Sequence, residues 1–214
     1  MTVISLSRSR AAYAGRVQVF CRLAVFLLLT YGSTAYGHSE EGVADGLVSG
    51  LLHPVLGFDH LVAMVAVGLW GAQLGRPAVW LLPITFPLIM ACGALVGVAG
   101  IPLPLVEYGI AVSALVLGVM VALRLRPPLW LAAVLVGAFG VFHGHAHGAE
   151  IPGAVNPLSY GVGFVVSTGC LHLLGILIGV LVRWPSGERV VRACGAAVAT
   201  VGVFTLAVNL GLLG

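Results

Sequence analysis

Three of the chain's seven histidines fall within the stretch FHGHAHGAE at positions 142–150. An apolar run beginning at Pro128 leads into it, so a helix is expected there. On a helix, His143 and His147 stand four apart on one face, Glu150 follows one turn further along, and His145 points to the other side. Gly144, Ala146, Gly148 and Ala149 add almost no bulk beside the rings, which leaves room for another backbone or a hydrated ion. Imidazole is the commonest metal-binding side chain, and a carboxylate in the same array favours a divalent cation. The plainer alternative is a histidine-rich loop tip at a membrane surface.

The stretch HPVLGFDH at 53–60 is the second dense one. Pro54 suits a first helical turn, where its missing N–H costs nothing. The apolar pattern already begins near Leu47, so a break or bend near His53-Pro54 is expected. His53 and His60, seven apart, would share a face of one helix. Asp59 puts a carboxylate inside an apolar run, which is costly unless a cation, a proton or a neighbouring helix answers it. His172 stands alone in a later apolar run. By itself it reads equally as an interhelical hydrogen-bonder, and beside two other histidine stretches it becomes a candidate ligand. Glu107 reads first as a near-surface carboxylate and second as a further metal candidate. The cysteines, Cys21, Cys92, Cys170 and Cys194, are scattered and read as small packing residues. Cys92 and Cys170 are the two that could face a pathway.

The elements that must position these groups are set by composition. Of 214 residues, 60% are hydrophobic and 8% charged, with no lysine; the mean hydropathy is +1.11. Several uncharged runs approach about twenty residues, the length that crosses about 30 Å of hydrocarbon as helix. An ordinary soluble domain is excluded, and an all-α, polytopic membrane protein is expected. The thirty glycines suit closely packed membrane helices. Arg8, Arg10, Arg16 and Arg22 precede a short apolar core at 23–30 and small residues at 34–37. That order predicts a cleavable N-terminal signal peptide over 1–37, leaving 38–214 as one transmembrane domain. Removing it takes four of the ten basic residues and none of the seven acidic ones. The remaining net charge is slightly negative, with no nucleic-acid patch. Cleavage there would make His38 the new N-terminus, where amine and imidazole could chelate together, although an unstructured tail is the simpler reading.

Six apolar runs follow, near 53–74, 78–99, 104–123, 128–148, 157–182 and 190–212, predicting six transmembrane helices. Arg76, Arg124, Arg126, Arg183, Arg189 and Arg192 all lie in or beside the first, third and fifth connections. The positive-inside rule puts those connections in the cytoplasm and both mature ends outside, as the signal peptide independently requires. His53, Asp59, His60, His143, His147, Glu150 and Glu107 then fall toward the outer side, and His172 near the middle. Tyr108, Trp70, Trp80, Trp130 and Trp184 fall near run ends and read as interfacial anchors.

HPVLGFDH resembles the HPxxGxDH motif of the HupE/UreJ proteins, and FHGHAHGAE resembles their FHGxAHGxE. The stretch with Gly163, Phe164, Ser167, Thr168, Leu171 and His172 is also similar to that family. The resemblance implies a secondary permease for nickel, in some members cobalt, in a bacterial cytoplasmic (inner) membrane, often serving hydrogenase or urease. His53, Asp59, His60, His143, His147 and Glu150 match motif positions, whereas His145 falls on a variable one. The metal set expected is therefore His53, Asp59, His60, His143, His147, Glu150 and His172, with His38, His145 and Glu107 as further candidates. The ion would be cargo bound transiently, with no permanent cofactor. The bilayer is the other expected partner, and a homo-oligomer stays open. The ligands must be deprotonated to bind, so uptake should weaken as pH falls through the histidine range. No Walker A motif suggests ATP hydrolysis. The rival readings are an accessory protein that delivers metal to a nickel enzyme and an intramembrane metalloenzyme. The sequence disfavours the latter: it has no HExxH motif and no serine placed as a nucleophile beside a histidine.

Overall fold

A computed structural model describes residues 43–151 and 156–213; the proposed signal segment and His38 lie outside the described residues. The described chain is helical, with no strand among the described residues. The helices are α1 (Val43–Leu56), α2 (Phe58–Leu74), α3 (Ala78–Val98), α4 (Val106–Ala122), α5 (Leu129–Ala149), α6 (Pro157–Gly179) and α7 (Pro185–Asn209). A 3₁₀ turn, Val180–Arg183, follows α6. Several starts follow from proline chemistry. Pro157 and Pro185 open helices where a missing N–H is harmless. Asn156 caps α6 by accepting from the amides of Leu158 and Ser159.

Four of the described helical segments are long and apolar enough to cross a membrane: α3, α5, α6 with its 3₁₀ extension, and α7. The pair α1 and α2 makes a fifth if it counts as one broken span, bent by 79°. At 17 residues, α4 is about 25 Å long and falls just short of a straight crossing.

The break does not sit where the proline suggests. Pro54 lies in the last turn of α1 instead of opening a helix. The chain leaves helical geometry at Gly57 alone, with φ −77° and ψ 101°. The Gly57 amide still bonds the His53 carbonyl at 3.1 Å, and the Leu61 amide bonds the Gly57 carbonyl at 2.8 Å. One residue thus redirects the chain with little loss of hydrogen bonding. His53 and His60 consequently belong to two helices and share no single helix face.

Glycines spaced four apart decide which helices meet. Gly140, Gly144 and Gly148 turn one edge of α5 onto α3, where added Cβ atoms would strike the carbonyls of Phe86, Met90 and Ala94. Gly93 and Gly97 of α3 answer against Val141 and His145, so the two helices run parallel. Gly118 meets Gly195 and Ala199, and Gly202 meets Ala111 and Leu115, which makes α4 and α7 antiparallel. Gly46 and Gly50 of α1 and Gly68 of α2 press on the α6 backbone near Asn156, Tyr160 and His172. The centre is α2, which packs on α3, α4, α6 and α7 and is buried nearly all round, as expected of a helix without a polar face.

The exposed side chains of α3, α6 and α7, among them Ile84, Leu88, Leu95, Leu177 and Phe204, form an apolar exterior suited to lipid. Trp80, Trp130 and Trp184 are also exposed, each at the start of a helix that follows an arginine-bearing connection. Trp70 departs from that anchor role. It is fully buried and donates from Nε1 to the Leu125 carbonyl at 3.1 Å. Cys92 and Cys170 are exposed on the exterior and pack in no core; Cys194 is half-buried.

Candidate metal site

Two segments carry the histidines, and a third helix supplies their surroundings. The end of α5 presents His143 and His147 from one face, as the four-residue spacing requires, and Glu150 caps that helix. The glycines between them bring the α3 backbone close to the histidine-bearing end of α5. From the other side the α1–α2 bend delivers His53 in the last turn of α1 and His60 in the first turn of α2. The α6 face bearing Tyr160 and Phe164 closes the pocket. The Phe164 ring centroid lies 4.3 Å from that of His147 and 6.1 Å from that of His53.

The result is two overlapping ligand sets. One ligand atom from each of His60, His143 and His147 lies within 4.8 Å of the others, and all three residues are buried. His53, His147 and Glu150 form a second set within the same limit, with His53 half-buried and Glu150 exposed. An ion bound to nitrogen at about 2.1 Å brings its ligand atoms to roughly 3–3.5 Å of one another.

The hydrogen bonds around the buried set leave ligand atoms available. Ser113 on α4 donates its hydroxyl hydrogen to the Ile110 carbonyl at 2.7 Å, and its oxygen lies 2.8 Å from His143 Nε2. With its only hydrogen spent, that oxygen accepts, so His143 carries its proton on Nε2 and keeps a lone pair on Nδ1. Asp59 Oδ1 stands 3.2 Å from His60 Nδ1, which leaves His60 Nε2 as the free atom. Buried nitrogens without partners are His60 Nε2, His143 Nδ1 and both ring nitrogens of His147. Orphaned polar atoms in a buried pocket are costly, and a cation answers one nitrogen of each of the three rings at once. A metal-bound histidine whose other nitrogen is held by a hydroxyl or carboxylate is the usual way such ligands are oriented.

The remaining candidates are placed as follows. Asp59 lies behind His60 and belongs to neither ligand set. His172 is deeper along α6. The Phe86 ring stands between it and His143, with centroids 5.6 and 5.4 Å away. Both His172 nitrogens and Thr168 Oγ1, one turn earlier, are buried without hydrogen-bond partners. His145 faces away and lies 2.8 Å from the Ile101 carbonyl through Nε2. Glu107 is exposed at the start of α4 and joins neither set. Sequence reasoning missed Ser113. Its signal was a lone hydroxyl at the middle of an otherwise apolar run, on the same helix as Glu107.

The sequence pattern described as HupE / UreJ protein matches residues 25–205. Protein HupE of Rhizobium leguminosarum bv. viciae is 44% identical over 170 residues, which cover 79% of this chain and 89% of that protein. No solved structure matches.

Proposed function

The chain belongs to the HupE/UreJ family, and from that premise we propose that it is a secondary permease carrying divalent nickel, with cobalt as a competitor, inward across the cytoplasmic membrane. The observation that carries this reading is the convergence of His60, His143 and His147, buried, with ring nitrogens that no protein group satisfies. Three neutral imidazoles with carboxylates nearby suit a first-row dication and disfavour calcium or magnesium, which prefer oxygen. The chain crosses six times after a cleaved signal peptide, with α1–α2 as the broken first span and α4 as the short third one. Both mature ends lie outside, and the arginine-bearing connections lie inside.

The ion enters where Glu150 and His53 meet solvent and sheds water as imidazoles replace it. Asp59, behind His60, supplies negative charge that offsets the cost of a dication in this buried pocket. His172 and Thr168 are the next polar groups inward. A dication moving inward gains about 4.6 kcal/mol per 100 mV of membrane potential, enough for a gradient on the order of a thousandfold. Nothing further is needed to drive accumulation.

The test is nickel uptake by the purified protein in lipid vesicles holding an inside-negative potential. Accumulation that collapses when the potential is dissipated is expected, with cobalt competing. Vesicles that bind nickel but never accumulate it would replace the permease reading with that of a metal-delivery protein.

A further inference from the structure

Resting on the permease reading, we infer that the histidine site is two metal stations in series that share the His147 imidazole, and that an ion passes between them while still bonded to it. The half-open station is His53, His147 and Glu150; the closed station is His60, His143 and His147.

The two stations differ in chemistry in the order an entering ion needs. The first offers a carboxylate whose side chain is 53% exposed and an imidazole that is 27% exposed. It can take an ion that still carries water, and its charge draws cations from solution. The second offers three nitrogens, all from buried residues, and holds only an ion stripped of most of its water. The stations are one ring apart. The His147 centroid lies 4.9 Å from that of His53 and 4.3 Å from that of His60.

The shared residue is also the one that nothing else holds. Ser113 engages one nitrogen of His143, and Asp59 stands against one nitrogen of His60. Both nitrogens of His147 lack a partner, so no hydrogen bond commits its ring to either station. The pivot has no tether, whereas the two fixed ligands of the closed station have one each. Transfer is a ligand exchange. The bonds to Glu150 and His53 break and those to His60 and His143 form, with no proton or electron moved. A neutral imidazole has one lone pair to give, so the stations cannot be filled together. Occupancy is one ion per chain although five residues can ligate.

The experiment is binding of Ni2+ and Co2+ to the purified full chain in lipid nanodiscs, with stoichiometry from equilibrium dialysis. The visible spectrum of bound Co2+ reports the ligand set. Wild type is expected to bind one ion. His53→Gln with Glu150→Gln, and separately His60→Gln with His143→Gln, should each still bind one, with different Co2+ spectra. The second pair should carry the carboxylate-containing signature. His147→Gln should weaken both. Two ions bound at once to wild type would overturn the proposal, as would complete loss of binding in both double variants while they remain monodisperse. Should a double variant fail to fold, Glu150→Gln alone decides. It lies at the exposed end of α5, and it should slow Ni2+ association about tenfold with little change in equilibrium affinity. Equal loss in both would mean a single site. Binding is read without transport, so a chain with two exclusive stations that accumulates no nickel in vesicles would fail the permease reading alone. A transporting chain that holds two ions would fail only this one.

Discussion

The two ends of the helical bundle treat their polar side chains in opposite ways. At the arginine-bearing end most donors are spent on helix termini, and the partnerless atoms there, Gln73 Oε1 and Arg124 Nε, belong to side chains that each hold another partner. Gln73 Nε2 bonds the Val121 carbonyl at 2.9 Å, Arg192 Nε the Ala122 carbonyl at 2.9 Å, and Trp70 Nε1 the Leu125 carbonyl at 3.1 Å. Arg124 pairs with Glu188 at 2.7 Å. Gln73 and Arg192 thereby reach the last two carbonyls of α4, Val121 and Ala122, and Trp70 reaches the connection beyond it. At the histidine end the same kind of buried polar atom is left without a partner, on His60, His143 and His147 together. Buried polar groups that complete a fold find partners; a cluster that finds none is held ready for something the chain does not contain.

Substitutions at the two ends can break or sharpen that contrast. The largest effect is expected from His147→Gln, which removes the residue common to both ligand sets. Nickel uptake by cells at equal membrane level should fall by about a hundredfold or more, and wild-type uptake would refute the assignment. Asp59→Asn removes the charge behind His60 while keeping its shape. Uptake should drop by about ten- to a hundredfold, and an unchanged rate would show that Asp59 is purely structural.

Ser113→Ala frees His143 to take its proton on Nδ1, which blocks the ligand atom. Nickel affinity of the purified protein should weaken by roughly tenfold, and Ser113→Thr, which restores a hydroxyl, should recover most of it. Failure of that rescue would count against the tautomer argument.

At the opposite end the sign reverses. Gln73→Leu removes a buried side-chain bond to the Val121 carbonyl, which keeps the Arg124 amide as donor, and should cost about 0.5–1.5 kcal/mol of stability, read as a lower melting temperature in detergent. Uptake per folded molecule should stay the same, and a specific transport defect would blur the distinction between the ends. The smallest effect belongs to Cys92→Ser and Cys170→Ser on the exterior. Stability should move by no more than about 0.5 kcal/mol and uptake not at all; a transport loss would place these thiols on the pathway after all.

Much of this was legible without coordinates. Helices near every apolar run followed from composition, and the face shared by His143 and His147 from a spacing of four. The glycines on α5 announced that something would come close, but not that it would be the backbone of α3. Pro54 pointed to a break within a few residues of the true one. The bend falls instead at Gly57, because the last turn of α1 tolerates a proline while Gly57, next to His60, carries no Cβ. A Cβ there would stand 3.0 Å from His60 Nδ1. Trp70 was misread as an anchor because position along a run does not say whether the neighbouring element covers it. Cys92 and Cys170 were misread as packing residues for the same reason.

By itself the sequence determined that the chain is an apolar helical bundle with its arginines and its histidines sorted to different connections, and which histidines could share a helical face. It did so because the period of a helix and the cost of placing charge in hydrocarbon act on local residues. Only the tertiary structure decided that His60 meets His143 and His147, that His53 meets His147 and Glu150, and that Ser113 lies against His143. Those contacts join residues tens of positions apart, and the angle and closeness of packed helices set them.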